Sequence, residues 1–295
     1  MSSGITTANP TSRPLPVELP YRIVWKSRAL RQGMHRSIQS GAGGLFRDLA
    51  TLLEYNDPRR IDLRQTLRDP FEGIHVRRFE EKSQTGVVML LDISGSMGFE
   101  GAARKMALAA DLAQVFATSV RRAGDTFALY AADEAIREEL SVPPTRSRAG
   151  EAEMIARLRA HVPERKGASG LLDAARMVGH RRNLVLVVSD FLLPEEQLED
   201  VFEALSNHDV VPIRIADSRE SATLPAWGLV ELSDLETGRR RLVAMRPALR
   251  AEWQRRFEAR RSLFRSLAGR YGREPFEITD TISWDRLGAH LATGA

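Results

Sequence analysis

Residues 92 to 96 read Asp-Ile-Ser-Gly-Ser and follow the apolar run Gly86-Val-Val-Met-Leu-Leu91. Asp92, Ser94 and Ser96 therefore stand at alternate positions just past a buried strand, where a carboxylate and two hydroxyls can turn toward one point. They are hard oxygen donors, suited to Mg²⁺ or Mn²⁺. A second apolar run, Leu184-Val-Leu-Val-Val188, leads into Ser189-Asp190. Two strands thus each deliver an acidic residue at their carboxyl ends, which is where open α/β sheets place their ligands. Ser169 lies in the stretch Lys166-Gly-Ala-Ser-Gly170, just before a helical segment, and offers another hydroxyl at the same rim. Each of these residues also has a plainer reading, because Asp and Ser cap helices and form turns. Taken together, segments in this order and context point to one hard cation held at the rim of a parallel sheet.

The elements that must carry such a site are legible as an alternation. Strand patterns fall at 87–91, 126–131, 184–188 and 210–215, with a further strand predicted over 136–142. Between them lie helical patterns at 102–122, 150–160, from the 166–170 loop to about residue 178, and at 195–206 behind Pro194. Alternating strands and helices predict an α/β fold with a mostly parallel sheet and helices on both faces. Residues 229–232 and 241–243 read as two closing strands around a turn at 236–238. A basic helix follows over 247–268, with Leu249, Trp253, Phe257, Phe264 and Leu267 on one face and predicted to dock. A strand and a helix at 276–278 and 284–291 end the pattern. Upstream, residues 1–20 are rich in Ser, Thr and Pro and read as a disordered tail. Residues 21–55 read as helical in part, with a glycine hinge at 40–44. The domain reading is 1–20 tail, 21–85 basic extension, 86–235 metal-binding domain and 236–295 C-terminal extension.

Composition narrows the function classes. The chain has 295 residues, 43% hydrophobic and 28% charged, enough for a large core. It has no cysteine, so disulfides, thiolate metal sites and cysteine nucleophiles are excluded. No apolar run approaches the ~20 residues of a membrane span, and the N-terminus has no apolar signal segment; the expectation is a cytoplasmic protein. Charge is uneven. Residues 1–86 carry 14 basic and 9 acidic residues, net +5; residues 87–238 carry 16 and 24, net −8; residues 239–265 carry 10 and 2, net +8. Such asymmetry fits nucleic acid, an acidic partner, or basic flanks packing on an acidic core. The last is preferred, since no aromatic-and-basic interleaving accompanies the arginines.

The motif set resembles the metal-ion-dependent adhesion site of von Willebrand factor type A domains. Asp92, Ser94 and Ser96 match its Asp-x-Ser-x-Ser element and Asp190 its later Asp. Ser169 stands where a Thr is expected, which keeps the hydroxyl. The run 53–62, His75-Val-Arg-Arg-Phe-Glu-Glu81, Asp92-Ile-Ser-Gly-Ser-Met97 and Asp234-Leu-Glu-Thr-Gly238 are similar to the signature of the DUF58 family over about residues 35–292. Asn56-Asp57 and Leu63 depart from that family's usual Gly-Asp and Trp. The resemblance implies a non-enzymatic adaptor with Mg²⁺ (or Mn²⁺) on Asp92, Ser94, Ser96, Ser169 and Asp190. Its implied partners are a MoxR-type AAA+ ATPase and a client offering Asp or Glu to the metal. Soluble members of this length are similar to those of methanol-oxidation gene clusters, which assist methanol dehydrogenase maturation.

Two rival readings remain. A phosphotransferase of the haloacid-dehalogenase type needs a second Asp two residues after its nucleophile, and that position is Ser94. Ser94-Gly-Ser-Met-Gly98 is out of phase for a G-x-S-x-G elbow, and no histidine lies in the site segments to act as a base. Nucleic-acid binding would rest on the basic flanks alone and would show a steep salt dependence.

Overall fold

The structure of the protein, a computed structural model, describes residues 15–16, 18–21, 45–54, 56–71, 73–80, 86–148, 150–164, 167–222, 225–233 and 240–293. The chain divides into two units, residues 27–84 and residues 1–26 with 85–295.

In the smaller unit, β1 (Leu45–Thr51) precedes the short α1 (Leu63–Thr66) and pairs antiparallel with β2 (His75–Glu80). Within the stretch 21–55, expected to be helical in part, the segment 45–51 is strand. A short apolar run fits either period, and here the distant partner strand decides. Residues 22–44, including the predicted hinge, lie outside the described residues. The signature residue Asp62 is a joint within this unit. Its side chain accepts the amides of Arg64 and Gln65 at 3.0 and 3.2 Å, capping α1, and binds Arg77 Nε of β2 at 2.7 Å. That guanidinium, aided by the Gln65 amide, holds the Asp62 carboxyl below its usual range.

The larger unit runs β3 (Gly86–Asp92), α2 (Lys105–Ala123), β4 (Thr126–Ala132), β5 (Val142–Thr145), α3 (Glu151–Ala160), α4 (Gly170–Met177), β6 (Leu184–Ser189) and α5 (Glu195–Ala204). It continues through β7 (Asp209–Ala216), α6 (Ser218–Ala222), β8 (Gly228–Ser233), β9 (Arg240–Met245), α7 (Pro247–Tyr271), β10 (Phe276–Thr279) and α8 (Trp284–Thr293). Six strands form one sheet in the order β10-β7-β6-β3-β4-β5, parallel except for β5. This is the predicted α/β architecture, a mostly parallel sheet with helices on both faces. The chain winds outward from β3 through β4 to β5, then outward on the other side through β6, β7 and β10. The reversal falls between β3 and β6, and past the carboxyl ends of strands at such a reversal is where open α/β sheets bind their ligands. The strand predicted over 136–142 is corrected: residues 138–140 form a 3-10 turn and β5 starts at Val142. Pro143 and Pro144 cannot donate to a central ladder, so β5 is confined to the sheet edge.

Period-two alternation sorts the core onto two faces. Val87, Met89 and Leu91 pack with α2, α3 and α8; Val88 and Leu90 pack with α4, α5 and α7. The central strands are covered on both faces, which is why they read as continuous apolar runs. Leu19 joins the first face, its amide donating to Ser119 Oγ at 2.8 Å, and Tyr21 Oη donates to Asp125 Oδ2 at 2.5 Å. The expected disordered tail is thus corrected at its end, because Leu19 is an apolar anchor that a polar composition hides; residues 1–14 and 17 lie outside the described residues.

On α7, Phe264 is buried and stacks on Phe191 with ring centroids 4.1 Å apart, while Phe257 is half-buried against Arg214. Trp253 is 43% exposed, so its predicted docking is corrected: its turn of α7 lies beyond the covered part of the helix. Arginines of the C-terminal half of α7 bind the sheet and its helices, while Arg255 and Arg256 pair with Glu252 of their own helix. Arg261 and Arg265 pair with Glu277 of β10, and Arg270 pairs with Glu199 of α5. β8 and β9 pair antiparallel as expected, and the turn at 236–238 lies outside the described residues.

Candidate metal centre

Asp92 is the last residue of β3 and Asp190 follows β6, so the two flank the crevice where the winding reverses. Both are buried, as are Ser94 and Ser96. Asp92 Oδ1 accepts the Ser94 amide at 2.9 Å, which folds the chain sharply past the strand end. Residues 95–98 then make a 3-10 turn with Ser94 at its N-cap position. The Ser94 hydroxyl does not cap that turn; its Oγ lies 3.3 Å from Ser96 Oγ. The plainer capping reading therefore fails for this hydroxyl, while the turn reading holds for Asp92 Oδ1.

The far wall is built from the end of β6. Ser189 Oγ donates to Asp92 Oδ2 at 2.5 Å and accepts the Phe191 amide at 2.8 Å. Phe191 has φ of 55°, a left-handed backbone that costs a non-glycine residue energy and needs support from its surroundings. Its ring supplies that support by stacking on Phe264 and Phe202. The strained turn presents Asp190, whose Oδ1 accepts the Leu192 amide at 3.1 Å and whose Oδ2 accepts Lys105 Nζ at 2.8 Å.

Lys105 opens α2 and is wholly buried. Its ammonium also donates to the Ser96 carbonyl at 3.2 Å and pairs with Glu220 of α6. Burial alone would pull the lysine pKa down; Asp190 and Glu220 overcome this and hold it above the usual value. Asp217, just past β7, accepts the amides of Ala103 and Arg219 at 2.8 Å each and so pins the loop that leads into α2. Burial, then repulsion from Asp190, pushes the Asp92 carboxyl up to about 6.

Four of the five expected ligands, Asp92, Ser94, Ser96 and Asp190, thus fall in one network of hydrogen bonds and charges. Ser169 is placed differently. It is exposed, does not cap α4, and donates to the Glu134 carbonyl at 3.2 Å. Among the described residues no hydrogen bond joins it to the other four. The turn it belongs to is fixed by Gly170, where an added Cβ would lie 2.7 Å from the backbone of Ala135. Gly170→Ala should therefore push α4 off the β4 loop and lower stability by about 1–3 kcal/mol. Urea unfolding checks this, and an unchanged midpoint would show that the loop yields.

Sequence reasoning passed over Lys105, Ser189, Asp217 and Glu220. Asp217 carried the signal already used for Asp190, an acid just past a parallel strand. Ser189 sat beside a chosen residue. Lys105 and Glu220 carry no local signal.

The donor set fits a small hard cation. Oxygens in an octahedral Mg²⁺ shell at 2.0–2.1 Å lie about 3 Å apart along an edge, and the two serine hydroxyls lie 3.3 Å apart. Asp92, buried against a second carboxylate, has the charge that such an ion would balance. Among the described residues no group of three or more His, Cys, Asp or Glu is arranged to hold a metal. The set therefore depends on hydroxyls, and on waters that Mg²⁺ readily keeps.

A Paracoccus denitrificans protein described as "Uncharacterized protein in moxR 3'region" is 36% identical over 97 residues, 33% of this chain and 92% of that protein. An uncharacterised Mycobacterium tuberculosis protein is 28% identical over 214 residues, 70% of this chain; the match spans 65% of that protein's length. Among solved structures, BatB from Bacteroides thetaiotaomicron aligns with a TM-score of 0.42 at 12% identity, over 70% of this chain and 96% of that one. The SpRpn10 VWA domain aligns with a TM-score of 0.40 at 14% identity, over 72% and 99%. No described helix is long and apolar enough to cross a membrane. The family "Protein of unknown function DUF58" matches residues 55–263, from the Asp62 joint through both walls of the crevice into α7, and the chain belongs to that family.

Proposed function

We propose that the chain is a non-enzymatic, Mg²⁺-dependent adaptor that links a MoxR-type AAA+ ATPase to a client complex during its maturation or cofactor loading. The observation that carries this reading is the buried pair of serine hydroxyls beside Asp92 at the sheet reversal. Ser94, Ser96 and Asp92 would hold the ion, with Asp190 behind them and Ser169 joining in a partner-bound state. The bound cation would offer a water-filled position to an Asp or Glu of the partner. Asp92 would keep its Oδ1 on the Ser94 amide and so hold both hydroxyls toward the crevice. The gene of the Paracoccus relative is described by its place beside moxR, which supports the ATPase as partner. Methanol dehydrogenase is the client class that the family resemblance implies.

The non-enzymatic part of the reading rests on the chemistry of the walls. No histidine falls in 92–96 or 189–190, and the buried Lys105 ammonium is held by acids rather than facing outward. General acid–base work needs a titrating group within reach of a substrate, and Asp92, the carboxyl raised toward that range, is buried with its two oxygens engaged by the Ser94 amide and Ser189 Oγ. The nucleic-acid reading is disfavoured by the α7 arginines that pair with Glu277 and Glu199.

The test is binding of this chain to a MoxR-type ATPase of the same genome, with Mg²⁺ and with EDTA at fixed ionic strength. Binding should be lost in EDTA and in Ser94→Ala, with the fold intact by circular dichroism. Equal affinity in both conditions would remove the metal from the mechanism.

A further inference from the structure

Resting on the metal-centre reading above, we infer that Lys105 is the chain's own counter-cation for Asp190. It competes with a divalent ion for that carboxylate, and Glu220 is the seat that keeps the ammonium when the ion takes its place. Three oxygens surround Lys105 Nζ: Asp190 Oδ2 at 2.8 Å, the Ser96 carbonyl at 3.2 Å, and the Glu220 carboxylate. An ammonium has three donors, so these partners satisfy it fully. A buried lysine is tolerated only with such partners. This one therefore has a defined position rather than a solvated one.

Both Asp190 oxygens are already engaged, Oδ1 by the Leu192 amide and Oδ2 by Lys105. A divalent ion on Asp190 must then share this one carboxylate charge with the lysine, or displace it. Ser96 sharpens the conflict, since its hydroxyl faces Ser94 while its carbonyl accepts the ammonium. A divalent ion on that hydroxyl would stand one residue's width from a like charge, in a buried setting where Coulomb repulsion is weakly screened. Glu220 resolves the conflict without moving α2. It lies on α6 behind Asp217, which also ties the loop before α2, so the ammonium keeps a carboxylate when Asp190 turns away. The metal-free chain is thus charge-balanced at Asp190, cation affinity is held down, and occupancy of the site becomes sensitive to whatever a partner adds.

The experiment is Mn²⁺ titration of the full chain, read by loss of the free-ion electron paramagnetic resonance signal. Wild type, Lys105→Met and, as a control for the locus, Asp92→Ala are compared. Lys105→Met removes the charge and keeps the length; it should bind Mn²⁺ about tenfold more tightly, or better. Its metal-free melting temperature should fall, and Mn²⁺ should recover it. Should Lys105→Met not fold, Lys105→Gln is neutral and keeps a donor, and carries the same expectation. Glu220→Gln should weaken Mn²⁺ binding, since Asp190 is then the lysine's one remaining carboxylate partner in the network. A purely structural lysine would instead weaken binding when replaced. If wild type binds at the Asp92 locus and the neutral variants bind equally or more weakly, the competition is overturned and the metal centre stands. If wild type does not bind but a neutral variant does, through Asp92, the competition is supported and the native chain uses lysine in place of metal. If none binds, both readings fall.

Discussion

Asp209→Ala should cost the folded chain about 3–5 kcal/mol, the range for removing one partner of a buried ion pair. Arg273 Nε and Nη2 meet Asp209 Oδ1 and Oδ2 at 2.9 and 2.8 Å, with the two side chains 2% and 4% exposed. The third guanidinium nitrogen, Nη1, donates to the Leu291 carbonyl at 3.0 Å. One side chain thus joins the first residue of β7, the loop behind α7 and the last turns of α8. The backbone follows the same seam: the Arg273 amide donates to the Val210 carbonyl at 2.8 Å, and Gly272 has no room for a Cβ, which would lie 2.7 Å from that oxygen. Loss of the carboxylate takes from a buried guanidinium the acid that binds two of its nitrogens. Replacing both residues together, as Asp209→Leu with Arg273→Met, should cost less than the single change, because no orphaned charge remains. Urea midpoints at constant slope measure both. A single variant within about 1 kcal/mol of wild type would mean that water reaches the pair.

What the sequence made legible follows from how locally each feature is specified. β3 and β6 are buried on both faces, so their apolar runs announce both the strands and the sheet they must belong to. Asp92 and Asp190 stand at the ends of those runs, so the two walls of the crevice could be named. β5 falls outside the predicted strand because its register depends on β4, and Val-Pro-Pro-Thr has no strand signature of its own. β1 carries no clear local signal because its pairing with β2 is non-local. Trp253 shares a helical face with Phe264, yet periodicity gives the face and not how far along the helix the partner surface extends. Lys105 shows the limit most clearly. A lysine at the start of a helix reads as solvated, and its meaning comes from Ser96, Asp190 and Glu220, which only the fold assembles.

Asp92→Asn should abolish the thermal response to Mg²⁺ while leaving the metal-free chain at least as stable as wild type. The two halves have one cause. Burial, then Asp190, pushes the Asp92 carboxyl up to about 6 from its ordinary 3.8. A carboxyl raised on folding is easier to ionise in the unfolded chain. The resulting destabilisation is absent below 3.8, grows as pH rises, and is complete above about 6. At pH 7.5 the metal-free wild type carries all of that cost. Asparagine removes the charge yet keeps an oxygen for the Ser94 amide, so the turn into Ser94 and Ser96 should survive. In wild type, an ion bound only to the folded state stabilises it by RT ln(1 + [L]/Kd), about 2.7 kcal/mol at a hundredfold excess over Kd. For a chain of this size that is a rise of roughly 4–5 °C. Differential scanning fluorimetry at pH 7.5, with EDTA and with millimolar Mg²⁺, reads both halves at once. A variant that melts lower than wild type in EDTA would show that the carboxylate is structural. A variant that responds to Mg²⁺ as wild type does would place the ion away from this crevice. Higher intrinsic stability with a lost response is the pattern of a residue kept for binding at a cost to the fold.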